Sequence, residues 1–419
     1  MAAYAETIPS QDQVDARLPV EGFVILKSPL TEDQRQKLVK SITDQVLYQV
    51  YGRKCINFDY EDPNHINSLS QALSDKKHRD NILGISATDT VWRKDNTRDP
   101  VWSKTTGMID IHYNLDVLSL VALNPEVYAT LSHYYGYSKL VHSVGIEKVC
   151  FKAAGSTAME EHIDTNLFDD TVNYPCRLQA LLCHQMDTEI APKYSGSIEV
   201  LKHFQLYWYL ARALFHPVYG PVPFPKNSSS SVKGSNKGSI TGSRFHVLPK
   251  DFNTKYLPQL HFHIKQYTEY CHRYQNYMNS HPDQFWTGIY SNWYQKGIIV
   301  PTQVYLPVWE VVPNSLIWSS RLPHRSVANK SNITRIATYI SLFPVDDKWY
   351  GSEEHQYLLK QINQCHFYYT VNHGAYPKNP TVKNPEELEY LKLTGQMSNI
   401  QNLFRSSKLS KQLVGLEKY

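Results

Sequence analysis

The chain has 419 residues, enough for one large or two ordinary domains and for a sizeable buried core. Charged residues make up 20% and the formal net charge is +4, which leaves no clear nucleic-acid signal and no pull toward an anionic membrane. No run approaches the ~18 consecutive apolar residues of a membrane span, and no apolar leader opens the chain. The cysteines (Cys55, Cys150, Cys176, Cys183, Cys271 and Cys365) lack C-x-x-C pairing and read as free thiols of a cytoplasmic protein.

In chain order, Glu21 to Lys27 reads as a short strand. Thr31-Glu32-Asp33-Gln34 is a capping box opening a helix through Leu38, Ile42 and Val46. From Tyr51 to Asp99 the pattern is broken and polar. Asn124-Pro125 supplies an N-cap and first turn for a helix with Val127, Tyr128, Leu131 and Tyr134 on one stripe, stopped by Gly136. Strands are expected over Glu147 to Lys152, Arg177 to Cys183, Ser197 to Leu201, Gln303 to Val311, Ser315 to Trp318 and Thr334 to Phe343. Two interruptions fall in the second half. The Ser/Gly/Lys-rich stretch 227–243 reads as a mobile loop, and Tyr256 to Trp293 has helical spacing with many Tyr, His and Trp. The stretch from Trp349 reads as helical and peripheral, broken at Pro377 and Pro380. Sequons at Asn227, Asn329 and Asn332 are incidental in a cytoplasmic chain.

The tripeptide H-x-D occurs at His78/Asp80, His162/Asp164 and His281/Asp283, so one copy alone means little. His78 lies in a solvated charge run, and Asp283 follows Pro282 in a turn. His162 differs by context. It follows the strand Val149-Cys150-Phe151-Lys152 and the small-residue turn Ala153 to Ser156. In extended chain, residues i and i+2 share a face, so His162 and Asp164 can reach one metal. Leu322-Pro323-His324-Arg325-Ser326 offers a second histidine at a strand end, and Arg335 opens the strand that follows. Two histidines and a carboxylate on one side of iron leave the other side open for a ligand. An arginine nearby suits a dicarboxylic keto acid, whose far carboxylate its planar fork can grip. The turn-rich Asn329-Lys330-Ser331-Asn332 predicts that His324 and Arg335 lie on successive antiparallel strands.

At these residues the chain resembles the phytanoyl-CoA dioxygenase-like family of Fe(II)/2-oxoglutarate-dependent oxygenases, over roughly residues 18–345. The similarity includes Glu21-Gly22-Phe23-Val24, Phe151 to Thr165, Arg177-x-Gln179, Ser195 to Leu201 and Ser315-Leu316-Ile317-Trp318 leading to His324. The resemblance implies a mainly β, α+β chain with flanking helices around a double-stranded β-helix (jelly-roll) core. It implies Fe(II) held by His162, Asp164 and His324, and the C5 carboxylate of 2-oxoglutarate held by Arg335 with help from Ser326. Gln179 would stand beside the metal, and ascorbate would serve as an auxiliary reductant.

The chain departs from compact members in the long interval between Asp164 and His324, which holds a helical, Tyr-rich insertion over about 203–300. It shows no peroxisomal Ser-Lys-Leu address and no dense Lys/Arg cluster for a CoA tail. A mostly helical extension is expected over 346–419. The expected activity is hydroxylation of an unidentified small organic substrate. Two alternatives stay open: an assembly protein that keeps the fold and self-associates through the insertion, and a cupin-like metal enzyme without 2-oxoglutarate, which Arg335 disfavours. The metal reading requires the three ligand atoms to lie within about 4 Å of one another. Tyr207, Trp208, Trp286 and Trp293 are expected either to face the cavity as a lid or to pack on one another.

Overall fold

Two antiparallel sheets carry the chain. The computed structural model describes residues 18, 20–51, 58–60, 62–74, 107–109, 111, 113–135, 139–165, 167–168, 178–225, 246–280, 304–312, 315–365 and 385–419. The strands are β1 (Phe23–Leu26), β2 (Met108–Ile109), β3 (Leu140–Lys152), β4 (His162–Ile163), β5 (Leu178–Gln185), β6 (Ile198–Lys202), β7 (His246–Val247), β8 (Val308–Val312), β9 (Ser315–Ser319), β10 (His324–Ser326) and β11 (Arg335–Pro344). A six-stranded sheet has the order β1-β9-β5-β11-β3-β2, and a five-stranded sheet the order β7-β4-β10-β6-β8.

Alternation along the strands sends one set of side chains between the sheets. Phe23, Cys150, Leu181, Leu316, Trp318 and Ala337 from the larger sheet share a buried cluster with Ile198 and Val200 from the smaller one. The other face of the larger sheet, with Val149, Phe151, Leu182, Ile317, Ile336 and Ile340, is covered by helices. Helix α1 (Glu32–Tyr51) contributes Leu38, Ile42 and Val46 to that cover. Its capping box forms as predicted: Thr31 N donates to Gln34 Oε1 at 2.9 Å, and Gln34 N donates to Thr31 Oγ1 at 3.3 Å. Helix α2 (Pro63–Ser74) lies within the stretch whose pattern looked broken, and it buries Ile66 and Leu69. Helix α3 (Pro125–Tyr135) starts at Asn124, whose Oδ1 accepts from Glu126 N at 2.9 Å.

Four expectations are corrected. The strand expected from Gln303 begins only at Val308, and the one expected from Glu147 begins at Leu140. β10 and β11 do not pair: β10 lies between β4 and β6, and β11 between β3 and β5. The segment between them is therefore a crossover from one sheet to the other, pinned by buried Asn329, whose Nδ2 donates to Lys152 O at 3.0 Å and Ile333 O at 2.9 Å. Within the insertion, β7 pairs with β4 of the smaller sheet. The C-terminal helices α6 (Glu353–Gln364), α7 (Pro385–Leu393), α8 (Gln396–Phe404) and α9 (Lys408–Leu413) are helical as expected but not peripheral. Leu358, Ile362, Leu391, Ile400, Phe404 and Leu413 are buried in the same cluster as Leu140, Val141 and Val149 of β3.

Within the insertion, helix α4 (Trp208–Phe215) and helix α5 (Leu257–Ser280) pack apolar faces onto the buried cluster that holds Trp318 and Val200, and a π-helical turn, Phe252–Tyr256, leads into the second. Tyr207 and Trp208 are buried there with Phe204, Leu210 and Phe215, and Arg321 lies over the Trp208 ring. Trp286, Trp293, the loop 227–243, Arg177, Gly136, His78, Asp80, His281, Asp283, Pro377 and Pro380 lie outside the described residues. No described helix is long and apolar enough to cross a membrane. Cys150, Cys183, Cys271 and Cys365 are free thiols.

Candidate metal centre

Short strand β4 and strand β10 meet at a single pair, in which His162 faces His324 across the ladder. Their rings lie 4.3 Å apart between centroids. His162 Nδ1 bonds to Glu160 O at 2.9 Å, and His324 Nδ1 bonds to Leu322 O at 2.9 Å. A carbonyl can only accept, so both Nδ1 atoms carry the hydrogen and, in the neutral ring, both Nε2 atoms present a lone pair. Both Nε2 atoms turn toward Asp164, at 3.8 Å from Oδ1 for His162 and 3.4 Å from Oδ2 for His324. One ligand atom from each of the three residues lies within 4.8 Å of the others. That is wider than the expected 4 Å, so ligand atoms would draw together around an ion with bonds of about 2.0–2.2 Å.

Burial, and then the neighbouring His324, lowers the pKa of His162 to about 4, against the opposing pull of Asp164 and the Glu160 carbonyl. The imidazole is thus neutral at ordinary pH, the form that binds metals. Gln179, on β5 of the facing sheet, donates from Nε2 to Asp164 Oδ2 and orients the carboxylate. Trp318, its register neighbour on β9, sets its ring against His324 at 5.6 Å. Two imidazoles fixed as acceptors and one oriented carboxylate are a donor set that fits a first-row divalent ion.

Arg335 opens β11 and is fully buried. Its Nη1 donates to Gly196 O at 3.1 Å, while Nε and Nη2 make no hydrogen bond. No salt bridge to Arg335 forms among the described residues. The groups that act most on its charge are Cys183, Cys150 and Tyr339, not carboxylates. Burial raises both thiols and the Tyr339 phenol above their usual ranges, so all three stay neutral. A buried cation without an anion is costly, and it marks a place where an anion belongs.

The structure adds a residue that sequence reasoning passed over. Lys152 is the register partner of Arg335 and is buried with it. Its Nζ donates to Ser326 Oγ at 2.8 Å and to Thr157 O at 3.1 Å. Ser326 follows His324 by two positions, one side-chain repeat of about 7 Å along the strand. The inner face thus runs from the histidine pair to Ser326, Lys152 and Arg335. Two glycines make room for the lysine. A Cβ on Gly107 would lie 2.6 Å from Lys152 Cβ, and one on Gly196 would lie 3.2 Å from Lys152 Cδ. Desolvation, with the Arg335 charge acting the same way, lowers the Lys152 pKa to about 8. In the sequence, the only hint was period two: Lys152 shares a strand face with buried Cys150.

No family model matches the chain, and no curated protein matches it. Several solved structures show a distant likeness. EctD from S. alaskensis with 2-oxoglutarate and 5-hydroxyectoine is 12% identical, with 82% of this chain and 79% of that chain covered and a TM-score of 0.36. The non-heme alpha ketoglutarate dependent carbocyclase SnoK from nogalamycin biosynthesis is 10% identical, covering 82% and 86%, with a TM-score of 0.37. The epimerase SnoN in complex with Fe3+, alpha ketoglutarate and nogalamycin RO is 11% identical, covering 80% and 83%, with a TM-score of 0.36.

Proposed function

We propose that the chain is an Fe(II)- and 2-oxoglutarate-dependent oxygenase that hydroxylates a small organic substrate. One observation carries this reading: the buried Arg335 guanidinium, with two nitrogens lacking partners, stands in line with a His-Asp-His donor set. The strand order supports it. The chain alternates between the larger and smaller sheets from β3 to β6 and again from β8 to β11, with β6 and β8 paired in the smaller sheet, which is how a double-stranded β-helix is wound. Within that class, the motif resembles that of the phytanoyl-CoA dioxygenase-like branch.

In this reading His162, Asp164 and His324 hold the metal, with Gln179 fixing the carboxylate. Arg335 meets the far carboxylate of the keto acid as a fork, Lys152 adds a second cation, and Ser326 orients the lysine. The cations sit away from the metal ligands along the strands, so a diacid must lie lengthwise between them. Iron, when bound, would supply a centre at which dioxygen is the oxidant and 2-oxoglutarate the co-reductant: one oxygen atom would go to succinate as the keto acid loses CO2, and the other to the substrate C–H bond. Trp318, Leu316 and the surrounding cluster keep water away from that centre.

The test is anaerobic titration with Fe(II) and then 2-oxoglutarate, followed by succinate detection in air. Saturable binding of both and succinate release that is lost in Asp164→Ala are expected. Normal folding with neither binding nor succinate would sink the assignment and favour an assembly role.

A further inference from the structure

The outer face of the five-stranded sheet carries a charged network whose members adjoin the two histidines. Glu161 precedes His162 and Arg325 follows His324, so the alternation that turns the histidines inward turns these two outward. Arg325 Nη1 meets Glu161 Oε1 at 2.8 Å, and Arg325 Nε meets Glu199 Oε2 at 2.5 Å. Arg325 and Glu199 are register partners on β10 and β6, and Glu161 enters β4 on the other side. One guanidinium therefore ties together three adjacent strands at the level of the histidine pair. Both carboxylates are 14% exposed, so the pairs are shielded more than ordinary surface ion pairs.

This clamp extends into the insertion. Glu161 Oε1 also accepts from Asn253 Nδ2 at 2.8 Å, and Asn253 Oδ1 accepts from Trp309 Nε1 at 2.6 Å. Arg325 stacks over the Trp309 ring at 5.5 Å. Asn253 belongs to the π-helical turn at the head of α5, a kind of irregularity common near functional sites. Meanwhile β4 is only two residues long and meets β10 at one pair. So short a ladder fixes the spacing of His162 and His324 weakly by itself.

We propose that Arg325, with Glu161, Glu199 and Asn253, is a positioning network that holds His162 and His324 at metal-binding separation and couples that separation to the helical insertion. None of the four touches the metal site itself. The inference rests on the metal reading above and concerns only these residues.

Co(II) is the probe, added anaerobically to the full chain without 2-oxoglutarate and followed by its visible d–d absorption. Arg325→Met should weaken Co(II) binding about ten- to hundredfold and alter the d–d band, the usual scale for groups that orient metal ligands. Arg325→Lys should recover part of the loss, since an ammonium can serve one carboxylate but not bridge two. Asn253→Ala changes an exposed side chain and should leave thermal stability unchanged while weakening Co(II) severalfold. Asn253→Ala and Glu161→Gln keep the proposal testable if Arg325→Met fails to fold. Wild-type affinity and an unaltered band in both would overturn it, whatever happened to stability. If the wild type itself binds no Co(II), the metal reading falls and this proposal falls with it. If the wild type binds and the variants match it, only the positioning role is lost.

Discussion

Replacing Arg335 with Met should make the ligand-free protein more stable and leave it blind to 2-oxoglutarate. The guanidinium is fully buried, with one hydrogen bond, to Gly196 O at 3.1 Å, and two nitrogens without partners. Each unmade buried bond costs about 1–3 kcal/mol, and the Gly196 bond from a charged donor returns about 1.5–3 kcal/mol. Methionine fills similar space without desolvating a charge, and such swaps of buried ions for apolar groups are often stabilising by about 1–4 kcal/mol. We therefore expect Arg335→Met to gain roughly 1–3 kcal/mol without ligand. At about 2.1 cal/mol/K of unfolding entropy per residue, this long chain would shift its Tm by only a few degrees, so urea unfolding is the better assay. With redox-quiet Mn(II) and 2-oxoglutarate at ~100 times the wild-type Kd, linkage should stabilise the wild type by about 2.7 kcal/mol and the variant not at all. A variant about 2 kcal/mol less stable than wild type without ligand, or one that keeps the full response to 2-oxoglutarate, refutes the reasoning.

Lys152 should make co-substrate binding depend on pH. With its pKa lowered to about 8 the ammonium is lost as pH rises through that value, so 2-oxoglutarate affinity in Mn(II) titrations should fall there in the wild type and stay flat in Lys152→Met. Gly107→Ala should destabilise far more than Gly155→Ala. Both have φ of +74°, worth about 1–2 kcal/mol of strain for an L-residue, but only at Gly107 would the new Cβ also strike Lys152, at 2.6 Å. Burial, then Arg35 and Arg335, lower the His184 pKa to about 3, so the unfolded chain binds a proton that the native chain refuses between pH 6.5 and 3. Stability should therefore fall as pH drops below 6.5, with His162 acting the same way, and His184→Gln should flatten that fall in urea titrations at stepped pH.

What was legible in the sequence was local. The Thr31/Gln34 box and the Asn124 cap are decided by side chains within three residues of the backbone groups they serve, so spacing alone reveals them. The H-x-D pair was legible for the same reason, since extended chain puts alternate residues on one face. The path from His324 to Arg335 was not. A turn-rich tetrad suits a hairpin and a crossover equally, and the choice was made by Asn329, whose side chain bonds Lys152 O far away in the sequence. Strand β7 was hidden because two residues give no periodicity, and its pairing with β4 is purely tertiary. Lys152 was hidden because a lysine ending a strand normally reaches water. Here Gly107, Gly196 and Ser326, each from another part of the chain, build the channel that buries it.

The candidate site is divided between the two sheets, and the division explains both its chemistry and its cost. His162, His324 and Ser326 come from β4 and β10 of the smaller sheet, while Lys152, Gln179, Arg335 and Trp318 come from β3, β5, β11 and β9 of the larger one. A ligand that met both the histidine pair and Arg335 would bridge the sandwich through its middle. Without such a ligand, Arg335 donates across to the Gly196 carbonyl, and Lys152 donates to Ser326 and the Thr157 carbonyl, in a low-dielectric layer. Folding alone has no use for that arrangement, since apolar side chains of similar size would pack there at lower cost. Two neighbouring buried basic side chains favour an anion between the sheets, and the His-Asp-His set beside them is what such an anion would meet at its other end.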